Sequence, residues 1–458
     1  MQNEGDFTKQ LRRFDTISLA FGAIIGWGWV IMSGTWITEA GTIGAMLAFV
    51  FGGLMVYFVG LVYAELTPAL PKCGGEHIFS LRALGWNGSY VCTWMLVLGY
   101  VGVSSFEACA FPSVFEYVFS GYLQGYLYEI AGYKIYVTYL VVGVGAAILV
   151  TYLNYVGIKQ SARFQNAMTI IIACTGVLII ITALFCGDIR NIKPFFQNGM
   201  GGVFSVAVMT PFLFVGFDVI PQAVEEIDMP AKSISRVMIL SILLALIFYL
   251  MVILSVSMIM TQEEINASYL VTADAIKKAF RGRQIGAILV AIGGMAGILS
   301  SWNSFVVGSS RCIYAMANTG MLPAALGKLH KKHETPHRAV LLVGFFSMIA
   351  PFFGKSMLTW LSNSASFAMV IAYFLVSVSF LVLRKKEPEL PRPYKVSCGT
   401  AVGTGAVLLT LCMFSLYMPG MPSGLIKQEW VIIGIWVVLG LFMYRKAPKE
   451  SSGTCTKT

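Results

Sequence analysis

Charge is scarce in this chain. Asp, Glu, Lys and Arg make up 12% of its 458 residues, 57% are hydrophobic and mean hydropathy is +0.76. Soluble domains carry about 25% charged residues, so a soluble globular protein is excluded. Histidine is scarcer still, with four residues. None of the four lies inside an apolar stretch, the one HExxH string (His333–His337) falls in a Lys-rich loop, and no Ser–His arrangement occurs on which a membrane-embedded enzyme could be built. The nine cysteines form no CxxC pair. Several of them (Cys92, Cys109, Cys174, Cys312 and Cys412 among them) fall inside apolar stretches, as small packing residues do. They give no disulfide framework and no metal site. A repeated polar pore lining or a ring of charge, which a channel would need, is also missing.

Long apolar runs are abundant instead. With roughly 20 residues per crossing, the sequence reads as about twelve spans: 16–40, 43–68, 89–119, 135–156, 164–186, 200–223, 235–260, 284–316, 338–353, 357–383, 400–418 and 428–444. The gaps between them are too short for a soluble domain. The first apolar stretch is too long for a cleavable signal peptide and lacks a small-residue cleavage site. Basic residues concentrate on one side. Lys9, Arg12, Arg13, Lys328, Lys331, Lys332, Arg338, Arg384, Lys385 and Lys386 fall in loops and termini that are cytoplasmic if the N-terminus is inside. By the positive-inside bias both termini are then cytoplasmic, and the plasma membrane is the expected location. The net charge of +10 is a topology signal. Spread over every inner loop, it does not form the single patch that nucleic acid would need.

Two spans are broken by glycine at their centres. The first reads Gly22-Ala23-Ile24-Ile25-Gly26-Trp27-Gly28-Trp29, the second Phe212-Leu213-Phe214-Val215-Gly216-Phe217-Asp218. Unwound backbone at membrane depth survives only where protein buries it or where it lines a cavity. A pair of interrupted spans at corresponding places in two halves points to the binding site of a secondary transporter. Beyond the first break, free amides at a helix N-terminus favour a carboxylate. The carbonyls freed at Gly216 suit an ammonium. A molecule with both groups is an α-amino acid. Glycine also serves close helix packing in membranes, and the second break is what gives the first its weight.

Intramembrane carboxylates are functional candidates by default. Glu65, Glu107 and Asp218 stand out. Glu65, near the end of span 2, suits a structural role at the interface. Glu107 completes a stripe with Val97, Tyr100 and Ser104 at helical spacing, the polar face of span 3. Asp218 follows the second break by two residues and suits either proton coupling or recognition of a cation. Trp302 and Phe305 share a face of span 8, an arrangement that more often packs than recognises. His330, His333 and His337, in HKKHETPH, read as a solvated basic loop and not as metal ligands.

Five segments resemble the amino acid–polyamine–organocation (APC) superfamily of transporters, in the right order over nearly the whole chain: GAIIGWGWVIMSG, YAELTPALPKCGGEHIFSLRALG, FVGFDVIPQAVEEIDMPAKSISR, SSRCIYAMANTGMLP and PRPYKV. The resemblance implies an all-α integral membrane protein with two five-helix inverted repeats, discontinuous helices 1 and 6, and two trailing helices, working by alternating access. The expected divisions are a cytoplasmic N-terminus 1–15, repeats 16–186 and 200–383, a basic inner loop with helices 11 and 12 at 384–444, and a cytoplasmic tail 445–458. A homodimer through spans 11 and 12 is compatible with it. Trp27 stands where the family usually has Ser, and Trp29 replaces an Ile. Relatives with a cationic surrogate for sodium carry a Lys in helix 5; alignment puts Ile172 there, and 164–186 contains no Lys.

The expected function is secondary transport of a small amino acid, proton-coupled or exchange-driven, without a cofactor or a metal. The alternative substrate is an organic amine, polyamine or cationic amino acid selected by Glu107 and Asp218. The expected substrate-binding residues are Ile25, Gly26, Trp27, Gly28, Ser104, Phe212, Val215, Phe217 and Phe305.

Overall fold

The structure, a computed structural model, describes residues 7–119, 121–268, 270–354, 356–421 and 423–447. Most of the expected tail 445–458 therefore lies outside the described residues. The fold is all-α apart from one hairpin. In a bilayer every backbone polar group needs a partner within its own segment, which long helices supply. Among the described residues, ten helices are long and apolar enough to cross a membrane.

Span 1 divides into α1 (Arg13–Ile24), α2 (Gly28–Ile31) and α3 (Ser33–Ala40). α4 (Thr42–Ala69) returns, and α5 (Glu76–Val118) begins with a short helix that turns at Gly85, φ 76°, into span 3. A hairpin that the sequence reading did not include follows, β1 (Tyr126–Ile130) and β2 (Tyr133–Tyr136). Its turn residues Ala131 and Gly132 both have positive φ, which matches the twist of the strands it joins. α6 (Val137–Val156) and α7 (Ile158–Cys186) complete the first half. Span 6 is cut into α8 (Gly199–Ala207), α9 (Thr210–Phe214) and α10 (Val219–Gln222). Next come α11 (Ala231–Ile259), the short α12 (Gln262–Ala267) and α13 (Val271–Ala279), and then α14 (Gln284–Asn318), α15 (His337–Ile349), α16 (Ser356–Lys386), α17 (Gly399–Leu416) and α18 (Lys427–Lys446).

α5 forms the spine of the bundle, packed along α14 and α16. Without a hydrophobic force between helices in lipid, close packing and interhelical hydrogen bonds hold such a bundle. Small residues on α14 show how. A Cβ at Gly293 would overlap Thr175 of α7, one at Gly294 would overlap the Trp27 ring, and one at Gly297 would come 2.6 Å from the Gly26 carbonyl oxygen. The stretch Gly293-Gly294-Met295-Ala296-Gly297 is thus a seat for the first break. Apolar side chains on α6, α7 and α18 face outward instead, including Val141, Leu184, Phe185, Ile435 and Val438.

Both ends of the bundle are closed. On the side of the N-terminal segment, Leu11 pairs as a parallel bridge with Ile227, and the amides of Gln10 and Leu11 donate to the Glu226 carbonyl at 2.8 and 2.9 Å. Arg311 of α14, buried, donates from Nε to Glu226 Oε1 at 2.8 Å. At the other end α13 covers span 1: Thr272 donates to the Val30 carbonyl at 3.2 Å, and Tyr117 of α5 donates to Asp274 at 3.0 Å.

Candidate functional site

The two breaks meet at the centre of the bundle. The helix of α1 ends at Ile25, φ −89° and ψ 72°, and the chain stays non-helical to Trp27. In span 6, Val215 turns extended and Gly216 takes φ 137°, a conformation that favours glycine. Contact forbids a side chain there as well, since a Cβ at Gly216 would lie 2.7 Å from the Ile24 amide nitrogen and from the Ala23 Cβ. The hydroxyl of Tyr249, from α11, lies 2.9 Å from both the Ile24 and the Leu213 carbonyl oxygens. One phenol therefore serves the last carbonyls of both first half-helices. In α2 the Val30 amide donates to the Trp27 carbonyl at 2.9 Å, which leaves the Gly28 and Trp29 amides as the open ones of its first turn.

A cavity of about 10 Å³ lies between the breaks, lined by Gly26, Trp27, Gly28, Glu107, Phe212, Leu213, Tyr249, Ser301 and Phe305, among others. That is room for about one water molecule. The Trp27 ring fills the slot at Gly294, and its Nε1 has no hydrogen-bond partner. Phe212 closes one wall, edge-on to Phe106 with ring centroids 5.0 Å apart. Glu107 is buried. Its Oε1 lies where a Cβ on Gly26 would come within 2.8 Å, Ser301 bonds the carboxyl, and Oε2 has no partner.

The expected site residues thus separate into two groups. Gly26, Trp27, Gly28, Phe212, Phe305 and Glu107 line the cavity; Ile25, Ser104, Val215, Phe217 and Asp218 do not. Ser104 donates to the Tyr100 carbonyl of its own helix at 3.0 Å. Phe217 packs between Tyr63 and Tyr373, at 5.3 and 5.7 Å. Asp218 folds back on the break: Oδ1 accepts from the Gly216 amide at 2.7 Å, and Oδ2 accepts from the Tyr373 hydroxyl at 3.2 Å. Trp302 donates to Ser347 of α15 at 3.3 Å, a packing contact away from the cavity.

Other residues find structural places. Glu65 accepts from Arg384 Nε at 2.9 Å and the Val396 amide at 2.8 Å, and the Arg392 guanidinium pairs with it electrostatically, Nε 3.0 Å from Oε1. His330, His333 and His337 gather around the Tyr155 ring, and no metal-binding group occurs among the described residues. On α7, Gln165 and Thr169, one to two turns before Ile172, are among the side chains that reach α1 and α14. Gln165 donates to the Ser18 carbonyl at 3.0 Å and to Ser300 at 2.6 Å, and it accepts from Asn303 at 2.9 Å. Ser300 in turn donates to the Gly22 carbonyl at 2.9 Å. An uncharged network therefore holds the first half of span 1 to α7 and α14.

Sequence reasoning passed over Tyr249, Ser301, Gln165, Asn303 and the buried pair Glu226–Arg311. Only the pair left a signal: an arginine near the end of span 8 and an acid at the exit of helix 6. A tyrosine among the apolar residues of α11 carries no mark of what it faces.

Two broken spans joined at a small cavity, inside a bundle of long apolar helices, define a multi-pass membrane protein of the permease type. The family model for amino acid permeases matches residues 11–442. The chain is 31% identical to the branched-chain amino acid permease BcaP of Bacillus subtilis, over 96% of this chain and 93% of the relative. It is 26% identical to a methylthioribose transporter of the same organism, covering 95% and 92% of the two chains, and 25% identical to an aspartate-proton symporter, covering 97% and 91%. The chain belongs to the amino acid permease family, within the APC superfamily.

Proposed function

We propose that this protein is a secondary active transporter that moves a small α-amino acid by alternating access, driven by protons or by exchange. The observation that carries the reading is the meeting of the two breaks. The Gly28 end of α2 and the Ile24 and Leu213 carbonyls, which share the Tyr249 hydroxyl, border one buried cavity, where a carboxylate and an ammonium would each find opposite partial charge. A cavity this small with both ends closed suits an occluded state, and binding requires one end to open. The names of the relatives support amino acids while including methylthioribose, so the framework alone does not select the substrate.

A second reading rests on Glu107. Its free Oε2 beside the cavity, with no cation in the lining, suits the ammonium of an amine, a polyamine or a cationic amino acid. Asp218, engaged with Gly216 and Tyr373, suits proton coupling better than substrate recognition. We further read the chain as twelve spans, 16–186 and 200–383 being inverted repeats, in the plasma membrane with both termini cytoplasmic. The homodimer through spans 11 and 12 belongs to the same reading.

Uptake into proteoliposomes tests the choice, using α-amino acids and their decarboxylated amines with and without an inward proton gradient. Competition by amino acids and not by amines supports the α2 amides as the carboxylate site. The reverse result assigns selection to Glu107.

A further inference from the structure

A second group of buried ionisable residues lies beyond the cavity, on the stretch of span 6 that runs toward the N-terminal segment. Asp218 and Gln222 are four residues apart, hence neighbours on one side of this helical stretch. Gln222 donates from Nε2 to Glu76 Oε2, at the start of α5. The Tyr63 hydroxyl of α4 turns toward the same carboxyl, yet neither it nor Glu76 Oε1 completes a hydrogen bond of normal geometry. The Tyr100 hydroxyl turns likewise toward Asp218. Glu76, Asp218, Gln222, Tyr63, Tyr100 and Tyr373 are all fully buried.

Among the described residues no cation faces this group. Tyr63 faces it from α4, Tyr100 and Cys92 from α5, Cys312 from α14 and Tyr373 from α16. Arg311 is committed to Glu226. The His77 ring is occupied, Nδ1 by Thr93 and Ser89 and Nε2 by Thr319. Two carboxylates buried together without a cation are untenable as two negative charges. A proton on one of them removes the conflict. The unfinished hydrogen bonds at Tyr63 and Glu76 show where it fits.

We propose that Glu76 is a proton-binding residue of the transport cycle, sharing one proton with Asp218. The proton forms an O–H bond on one carboxyl and leaves to water when the end carrying the N-terminal segment opens. The fold links the two events. Four residues beyond Gln222, Glu226 holds Leu11 through its carbonyl and Arg311 through its side chain. Parting that latch draws Gln222 away from Glu76 and admits water to the pair. This proposal rests on the proton-coupled reading of the site, but its first test does not.

The test uses the full chain in lipid nanodiscs and compares wild type with Glu76→Gln, which keeps the shape and the Gln222 contact. Infrared spectra should show a protonated-carboxyl stretch in wild type that is missing from the variant. A band of equal size in both overturns the proposal. In proteoliposomes Glu76→Gln should lose accumulation driven by an inward proton gradient, keep counterflow exchange, and regain part of the gradient response as Glu76→Asp. An intact gradient response in Glu76→Gln overturns the coupling role. If wild type itself ignores the gradient, the proton-coupled reading and the coupling role both fail, and the infrared comparison still decides whether Glu76 binds a proton.

Discussion

The breaks in spans 1 and 6 look alike in sequence and differ in what completes them. At Gly216 the break satisfies itself: φ 137° points the amide at Asp218, two residues on, and Tyr373 holds the other oxygen of that acid. At Gly26 the neighbouring elements form the surroundings, with Glu107 of α5 on one side and Ser301 and Gly297 of α14 on the others. One Glu107 oxygen and the Trp27 indole nitrogen stay unpartnered. A closed hydrogen-bond circuit behaves as a joint, and an open one as a binding surface. We propose the span 6 break as the hinge and the span 1 break as the receptor. Tyr249 ties one to the other.

Five substitutions put that contrast at risk. Gly216→Ala adds a Cβ at a left-handed φ and against the Ile24 amide. Strain and overlap together should cost about 4 kcal/mol, read as loss of a monodisperse, heat-stable protein; a well-folded variant would mean the joint is pliable. Gly26→Ala is the counterpart, because its Cβ meets the movable Glu107 tip at 2.8 Å. Thermal stability should fall by about 1 kcal/mol or less while uptake is lost, and parallel behaviour of the two alanines would erase the distinction.

Trp27→Ser empties the Gly294 slot and should destabilise by about 3 kcal/mol while widening acceptance toward larger amino acids in competition assays. Unchanged selectivity would remove the indole from the site. Glu107→Gln should have the smallest effect on stability, within about 1 kcal/mol, since one carboxylate oxygen has no bond to lose. Its effect falls on uptake of amines, which should vanish; amines carried as well as before would leave the acid a structural role. As a companion, Asp218→Asn should abolish the pH dependence of uptake at the joint, and a surviving pH profile would assign coupling elsewhere.

Much of the architecture was legible because the bilayer restricts the solutions. Every span had to be a long apolar run, so the ends of α4, α6, α14 and α18 fall within a few residues of their sequence-read limits. The glycines gave away both breaks because φ 137° at Gly216 and the crowding at Gly26 leave little alternative. Glu65 in an interfacial ion pair and Trp302 in packing likewise follow from residue type and position along a span. The hairpin Tyr126–Tyr136 escaped notice because apolar periodicity was the signal being followed and its strands are short and tyrosine-rich.

Composition and residue pattern by themselves determined a multi-span helical membrane protein with two interrupted spans, since hydropathy and glycine placement are local properties of the chain. Tertiary structure alone decided which side chains share the cavity. It turned Glu107 toward Gly26 and Asp218 toward Gly216, brought Tyr249 from α11 to both breaks, and set Glu76 against Gln222 across 146 positions of sequence. Those pairings depend on how helices rotate and cross. In lipid that is settled by which small residues let backbones approach and which polar groups find partners, not by any feature of one helix alone.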